Sequence, residues 1–138
     1  MSLKGARVLV VEDDLLIARD LSLQLEDEGA EVVGPVVSAK GALQLIEREG
    51  VSAAILDARV QDGSITPAAE ALIARRIPLV FHTGAGLPNE LKARHPELPV
   101  FDKPASIPRL IETLSGLMND PQPPPPKRRA LGLWRRGK

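Results

Sequence analysis

The sequence predicts an α/β domain: a five-stranded parallel sheet with helices on both faces, the fourth helix short. Two observations carry that expectation. Short apolar runs rich in Val, Ile and Leu recur five times, each followed by a segment with apolar residues at helical spacing. The runs are also continuous rather than alternating, as strands buried on both faces require. Strands that alternate with helices pair in parallel, and the helices cover the sheet.

Arg7 to Val11 is the first such run. Asp14 can cap the helix that follows, with Ile17, Leu21 and Leu25 on one face and Gly29 as its stop. Glu31 to Val37 reads as the second strand, with Gly34-Pro35 near its end. Ser38 caps a helix that turns Ala39, Ala42, Leu43 and Ile46 inward and stops at Gly50. Ala53 to Leu56 is the third strand, ending at Asp57, and residues 58–66 form a polar loop around Asp62-Gly63. Thr66-Pro67 reads as a cap followed by proline at the first helical position, opening a helix to about Arg76. Pro78 to Phe81 opens the fourth strand, which ends in Thr83-Gly84-Ala85-Gly86. Asn89 to Arg94 is a short helix, Val100-Phe101 a brief fifth strand, and Lys103-Pro104 follows it. Ser106 caps a last helix with Ile107, Leu110, Ile111, Leu114 and Leu117 inward.

The 138 residues are 43% apolar and suit one domain, over residues 1–119, with a tail over 120–138. A body of that size buries roughly two thirds of its unfolded surface. Charge is balanced overall, at 18 basic and 18 acidic residues, but all 18 acids lie before residue 121. Residues 1–120 therefore carry −6 and residues 121–138 +6. An acidic body argues against direct DNA binding by the fold. The absence of cysteine excludes disulfides, thiolate metal sites and Cys nucleophiles. No apolar run reaches the ~18 residues of a membrane span, and Met1-Ser2-Leu3-Lys4 does not open a signal peptide. The expectation is a soluble, cytoplasmic protein.

Ligands of parallel sheets sit beyond the carboxyl ends of the strands. At that edge the sequence places Glu12-Asp13 after strand one, Asp57 after strand three, Thr83 at strand four and Lys103 after strand five. Converging carboxylates repel one another. A hard divalent cation such as Mg2+, which prefers oxygen ligands, relieves that repulsion. A metal, an ammonium and a hydroxyl around one carboxylate suit transfer of a phosphoryl group onto it, because such catalysis is mostly positioning and charge stabilisation. An Asp carboxylate can itself be the nucleophile.

Val10-Val11-Glu12-Asp13-Asp14, Leu56-Asp57, Thr83 and Lys103-Pro104, in that order and spacing, resemble the receiver domain of bacterial two-component response regulators. The resemblance covers about residues 5–118. It implies the (βα)5 flavodoxin-like fold, with Asp57 accepting a phosphoryl group from the phosphohistidine of a histidine kinase or histidine phosphotransfer protein. It also implies that Glu12, Asp13 and Asp57 hold Mg2+, with the backbone carbonyl of Arg59 completing the ligands. Lys103 would contact the phosphoryl group, Thr83 would be the switch hydroxyl, and the Lys103-Pro104 peptide would be cis. The chain would be no enzyme beyond its own phosphorylation and dephosphorylation. Pro78 to Gly86 is similar to the fourth-strand motif of the alphaproteobacterial "FAT GUY" receivers, with His82 in place of the usual alanine. Those proteins are commonly single-domain, and the expectation here is the same.

In most receivers an aromatic switch residue stands three positions before the lysine; here that position is Val100, and Phe101 faces the other way. An alternative from another class is a phosphorylation-independent interaction module or phosphate sink. A haloacid-dehalogenase-like phosphatase is excluded, because its second Asp would stand at position 59, which is arginine. His82 is expected to be a structural, hydrogen-bonded histidine facing away from Thr83. Arg59 is expected to be solvated, to shield the phosphoryl group, or to pair with Glu12 when metal is absent. Leu15, Leu16 and Leu23 exceed one buried stripe on the first helix and read either as partial burial or as a surface for a kinase's helical bundle. The tail joins a polyproline spacer (Pro121–Pro126) to Lys127-Arg128-Arg129 and Leu131–Arg136. It reads as a disordered tail or as a contact for an anionic membrane or a partner.

Overall fold

The computed structural model describes residues 3–119. The proline-rich and basic tail, with Trp134, lies outside the described residues. Five strands form one parallel sheet: β1 (Arg7–Val11), β2 (Glu31–Val36), β3 (Ala53–Leu56), β6 (Leu79–Thr83) and β7 (Val100–Asp102), in the order β2-β1-β3-β6-β7. The helices are α1 (Leu15–Asp27), α2 (Ala39–Arg48), α3 (Thr66–Ala74), α4 (Asn89–Arg94) and α5 (Ile107–Asn119). No helix among the described residues is long and apolar enough to cross a membrane.

Strand alternation sorts the core into two layers. Val8, Val10, Ile55 and Val80 pack with Leu21 and Leu25 of α1 and Leu110 and Leu114 of α5. Leu9, Val11, Leu56 and Phe81 pack on the other face with Ile46 of α2, Leu72 of α3 and Leu91 of α4. Phe81 is fully buried in the second layer. Phe81→Ala is expected to destabilise the domain by about 3–5 kcal/mol, read as a lower denaturant midpoint at unchanged slope.

Local signals explain the starts of α1 and α2. The Asp14 carboxylate accepts from the N–H groups of Leu16 and Ile17 at 3.0 and 3.2 Å, and Ser38 Oγ accepts from Gly41 at 2.9 Å. Helix α2 has a second cap that no local pattern indicates. The Asp62 carboxylate accepts from Ala39 and Lys40 at 2.8 and 3.0 Å. These two backbone bonds hold the Asp62 carboxyl below its ordinary range.

Three expectations need correction. Residues 58–66 are not a plain polar loop, for they contain a small antiparallel hairpin, β4 (Arg59–Val60) with β5 (Gly63–Ser64). Thr66 does not cap α3. It is already helical, the N-cap is Ile65, and the Ser64 hydroxyl accepts from the Thr66 N–H at 3.1 Å. The Thr66 hydroxyl instead joins Ser64 to Glu90 of α4. Helix α3 also stops at Ala74, two residues early, because Arg76 takes a left-handed conformation (φ 57°) and returns the Ile77 N–H to the Leu72 carbonyl. That position carries no glycine, so the sequence lacks the usual stop signal.

Gly34 disrupts β2 for a steric reason. Its φ is +99°, and a Cβ there would meet the Val10 carbonyl oxygen at 3.1 Å. The register against β1 shifts at this point. Gly34-Pro35 is cis, which the sequence did not lead us to expect, and Lys103-Pro104 is cis as expected.

Candidate phosphoryl-acceptor site

The sheet order places the site. The chain runs from β1 outward to β2 and returns to β3 on the other side of β1, and ligands bind where strand order reverses in this way. Val11 pairs with Leu56, so the next residues of the two strands, Glu12 and Asp57, emerge side by side at the carboxyl edge. Phe81 pairs with Leu56 and Thr83 with Asp102, which brings Thr83 and Lys103 to the same edge.

Glu12 and Asp57 are buried, at 1% and 3% exposure, while Asp13 is exposed. Each of the three offers a carboxylate oxygen, and these oxygens all lie within 4.8 Å of one another. The Lys103 ammonium bridges the two buried acids, with Nζ 2.8 Å from Asp57 Oδ2 and 2.9 Å from Glu12 Oε2. Asp57 Oδ1 accepts from the Arg59 N–H at 3.0 Å, and Glu12 Oε2 also accepts from the Asp14 N–H at 3.1 Å. Both oxygens of Asp57 are therefore held.

Burial pushes the Glu12 carboxyl above its ordinary value, against the pull of the Asp14 N–H and Lys103; the Asp57 charge adds to the rise. Burial alone would lower Lys103, but the bonds from Asp57 and Glu12 outweigh it and leave the ammonium above its usual value. Lys103 is thus charged at neutral pH and belongs to the site.

Arg59 does not pair with Glu12. Its side chain is exposed, and Lys103 reaches Glu12 from just past the end of β7 instead. The part of Arg59 that enters the site is its backbone. Thr83 is fully buried, and its hydroxyl accepts from the Ala85 N–H at 3.2 Å, so it is turned to its own loop rather than bonded to Asp57. Val100 is 39% exposed, and Phe101 packs on the opposite side with the α1–α5 layer, as alternation requires.

His82 is buried and hydrogen-bonded, as expected, and its partner is the Ala105 N–H, 3.3 Å from Nε2. Burial, with the nearby Lys103 charge, holds the imidazole below its ordinary value. The sequence contained the histidine but no sign of that partner, which comes from another strand's loop. Leu15 and Leu16 are 77% and 74% exposed and Leu23 49%, so the surplus leucines of α1 are a surface feature.

An all-oxygen set of three close carboxylates fits a hard divalent cation and does not fit a soft metal. Two buried acids, a fixed ammonium and a backbone N–H also define a carboxylate oriented for reaction.

No family model matches the chain. Solved structures do. The solution structure of SdrG from Sphingomonas melonis Fr1 is 38% identical, with TM-score 0.69 over 86% of this chain and 99% of that one. A BeF3-activated conformation of SdrG is 40% identical, with TM-score 0.64 over 83% and 98%. A CheY-like response regulator receiver domain protein from Methanospirillum hungatei is 26% identical, with TM-score 0.72 over 83% and 94%. The receiver domain of the sensor histidine kinase PA1611 from Pseudomonas aeruginosa shares the fold at 21% identity and TM-score 0.70, over 84% and 99%, and has a magnesium ion in its active-site cleft. This chain belongs to the receiver domains of response regulators. Among curated proteins it is similar to the transcriptional regulatory protein PdtaR of Mycobacterium tuberculosis, 35% identical over 78 residues. That match covers 56% of this chain and 38% of PdtaR, so the likeness spans well under half the length of the curated relative.

Proposed function

We propose that this chain is a single-domain response regulator of the FAT GUY-like subgroup, which accepts a phosphoryl group on Asp57 in a phosphorelay. The observation that carries this reading is the Asp57 carboxylate itself: buried, at a strand end, and held between Lys103 Nζ and the Arg59 N–H beside two further acids. The donor is the phosphohistidine of a histidine kinase or histidine phosphotransfer protein. A carboxylate oxygen of Asp57 forms the new P–O bond as the donor's P–N bond breaks and the donor imidazole leaves. The Arg59 N–H keeps the carboxylate oriented, and Lys103 moves its bond from Asp57 to a phosphoryl oxygen.

Glu12, Asp13, Asp57 and the Arg59 carbonyl would hold Mg2+, which would neutralise charge on the phosphoryl oxygens. The exposed leucines of α1 offer the donor an apolar surface beside the site. The subgroup reading is supported by Phe81-His82-Thr83-Gly84 and by valine at position 100. Acetyl phosphate tests the function directly. Labelling is expected in Mg2+ and is expected to be lost in EDTA. A chain that is never labelled is instead the phosphorylation-independent module.

With no aromatic at position 100, the response to phosphorylation falls on the loop after Thr83. The two glycines of that loop are not equivalent. Gly86 has φ +74°, where a side chain is strained, whereas Gly84 stands in open space with no such restriction. Gly86→Ala is therefore expected to blunt the beryllofluoride-induced change in amide exchange over residues 83–95, and Gly84→Ala to blunt it less. Labelling of Asp57 should survive in both variants. A change confined to β7 and Phe101 would place the response in a side chain instead.

A further inference from the structure

His82 stands where two parts of the site meet, although it touches no reacting atom. It follows Phe81 on β6, so alternation puts its ring on the α1–α5 side with Val80 while Thr83 faces the other way. The ring is 3% exposed. Nε2 accepts from the Ala105 N–H, so the neutral ring carries its proton on Nδ1, and Nδ1 is buried without a partner. A side chain of similar size without polar atoms would leave no such orphan. Among the described residues, the bond to Ala105 is the ring's polar contact.

That contact has a definite place. Lys103, Pro104 and Ala105 form the turn between β7 and α5. One end of the turn is tied to β6 by the Lys103 N–H, which donates to the Thr83 carbonyl at 3.0 Å. The other end is tied to the same strand by Ala105 and His82. The ammonium that bridges Glu12 and Asp57 thus projects from a turn fastened at both ends to β6.

We propose that His82 is a positioning residue: by accepting from the Ala105 N–H it anchors the turn that holds Lys103 over Asp57. Its bearing on phosphorylation rests on the function proposed above; its anchoring of the turn does not.

The full chain carries the test. In wild-type protein at neutral pH, imidazole 15N shifts should show the proton on Nδ1 and an unprotonated Nε2 that accepts a hydrogen bond. A proton on Nε2 overturns the proposal, and this measurement needs no variant. In His82→Ala, exchange of the Ala105 amide should quicken by about tenfold, while core amides such as Val8 and Ile55 keep their protection. His82→Gln, whose side-chain oxygen can replace Nε2 as acceptor, should restore it. Acetyl-phosphate labelling should slow several-fold in His82→Ala at unchanged Mg2+ affinity and recover in His82→Gln. Unchanged Ala105 exchange overturns the proposal, as does loss of protection across the core or failure of the glutamine to rescue. If wild-type protein is not labelled at all, the phosphoryl reading fails, and the tautomer and exchange results still decide the anchor.

Discussion

Asp57→Asn and Asp57→Ala are expected to abolish labelling by acetyl phosphate or by a phosphohistidine donor. Asp57 is the acid whose two oxygens are held by different groups, Oδ1 by the Arg59 N–H and Oδ2 by Lys103. Glu12 shares the ammonium but gives the same oxygen to the Asp14 N–H, and Asp13 is exposed. Asn keeps the shape and the bond from Arg59 but removes the nucleophilic charge, so loss of labelling in a folded Asp57→Asn identifies the carboxylate rather than the fold. Mass spectrometry of the labelled protein, with thermal unfolding as the control, reads the result. A full mole of phosphoryl on Asp57→Ala would assign the acceptor elsewhere.

Lys103→Met is the second large effect, and it separates two roles of the ammonium. Removing it leaves Glu12 and Asp57 facing one another with almost no access to water. Breaking a buried ion pair from one side costs on the order of a few kcal/mol. Glu12, which burial already pushes up, answers by binding a proton, or the pair answers by binding a cation. The folded state then holds protons more tightly than the unfolded chain, so the lost stability should return as pH falls from 7 toward 5. It should also return on adding Mg2+ at neutral pH, and Mg2+ should bind at least as tightly as to wild type, since no ammonium competes for the same oxygens. Phosphoryl labelling should nevertheless fall by tenfold or more, because no ammonium is left to pass from Asp57 to the transferred group. Weaker Mg2+ binding in Lys103→Met would show that the lysine organises the metal ligands rather than opposing a charge on them.

The readable parts of this protein were those written in local pattern. The continuous valine-rich run of β1, the caps at Asp14 and Ser38 and the short α4 are each specified within a few residues, and each is found where the pattern put it. The site was legible for the same reason. Parallel strands deliver their C-terminal residues to one edge, so Glu12, Asp57, Thr83 and Lys103 could be brought together before any distance was known.

Tertiary structure decided what depends on groups far apart in the chain. Asp62 caps α2 from 23 residues away, and the Thr66 hydroxyl, which does not cap α3, donates to Glu90, 24 residues on. Arg76 ends a helix in a left-handed conformation that its residue type does not announce. In the site, the choice between Arg59 and Lys103 as partner of Glu12 was settled by reach. Arg59 leaves β3 into a hairpin that carries its side chain to solvent, while Lys103, 91 residues from Glu12, leaves a strand end aimed across both acids. Sequence placed the charges at one edge, because strand direction is a local property. Which charges touch, and which backbone N–H groups hold them, follows from register and loop path, and these exist only when the whole sheet is assembled.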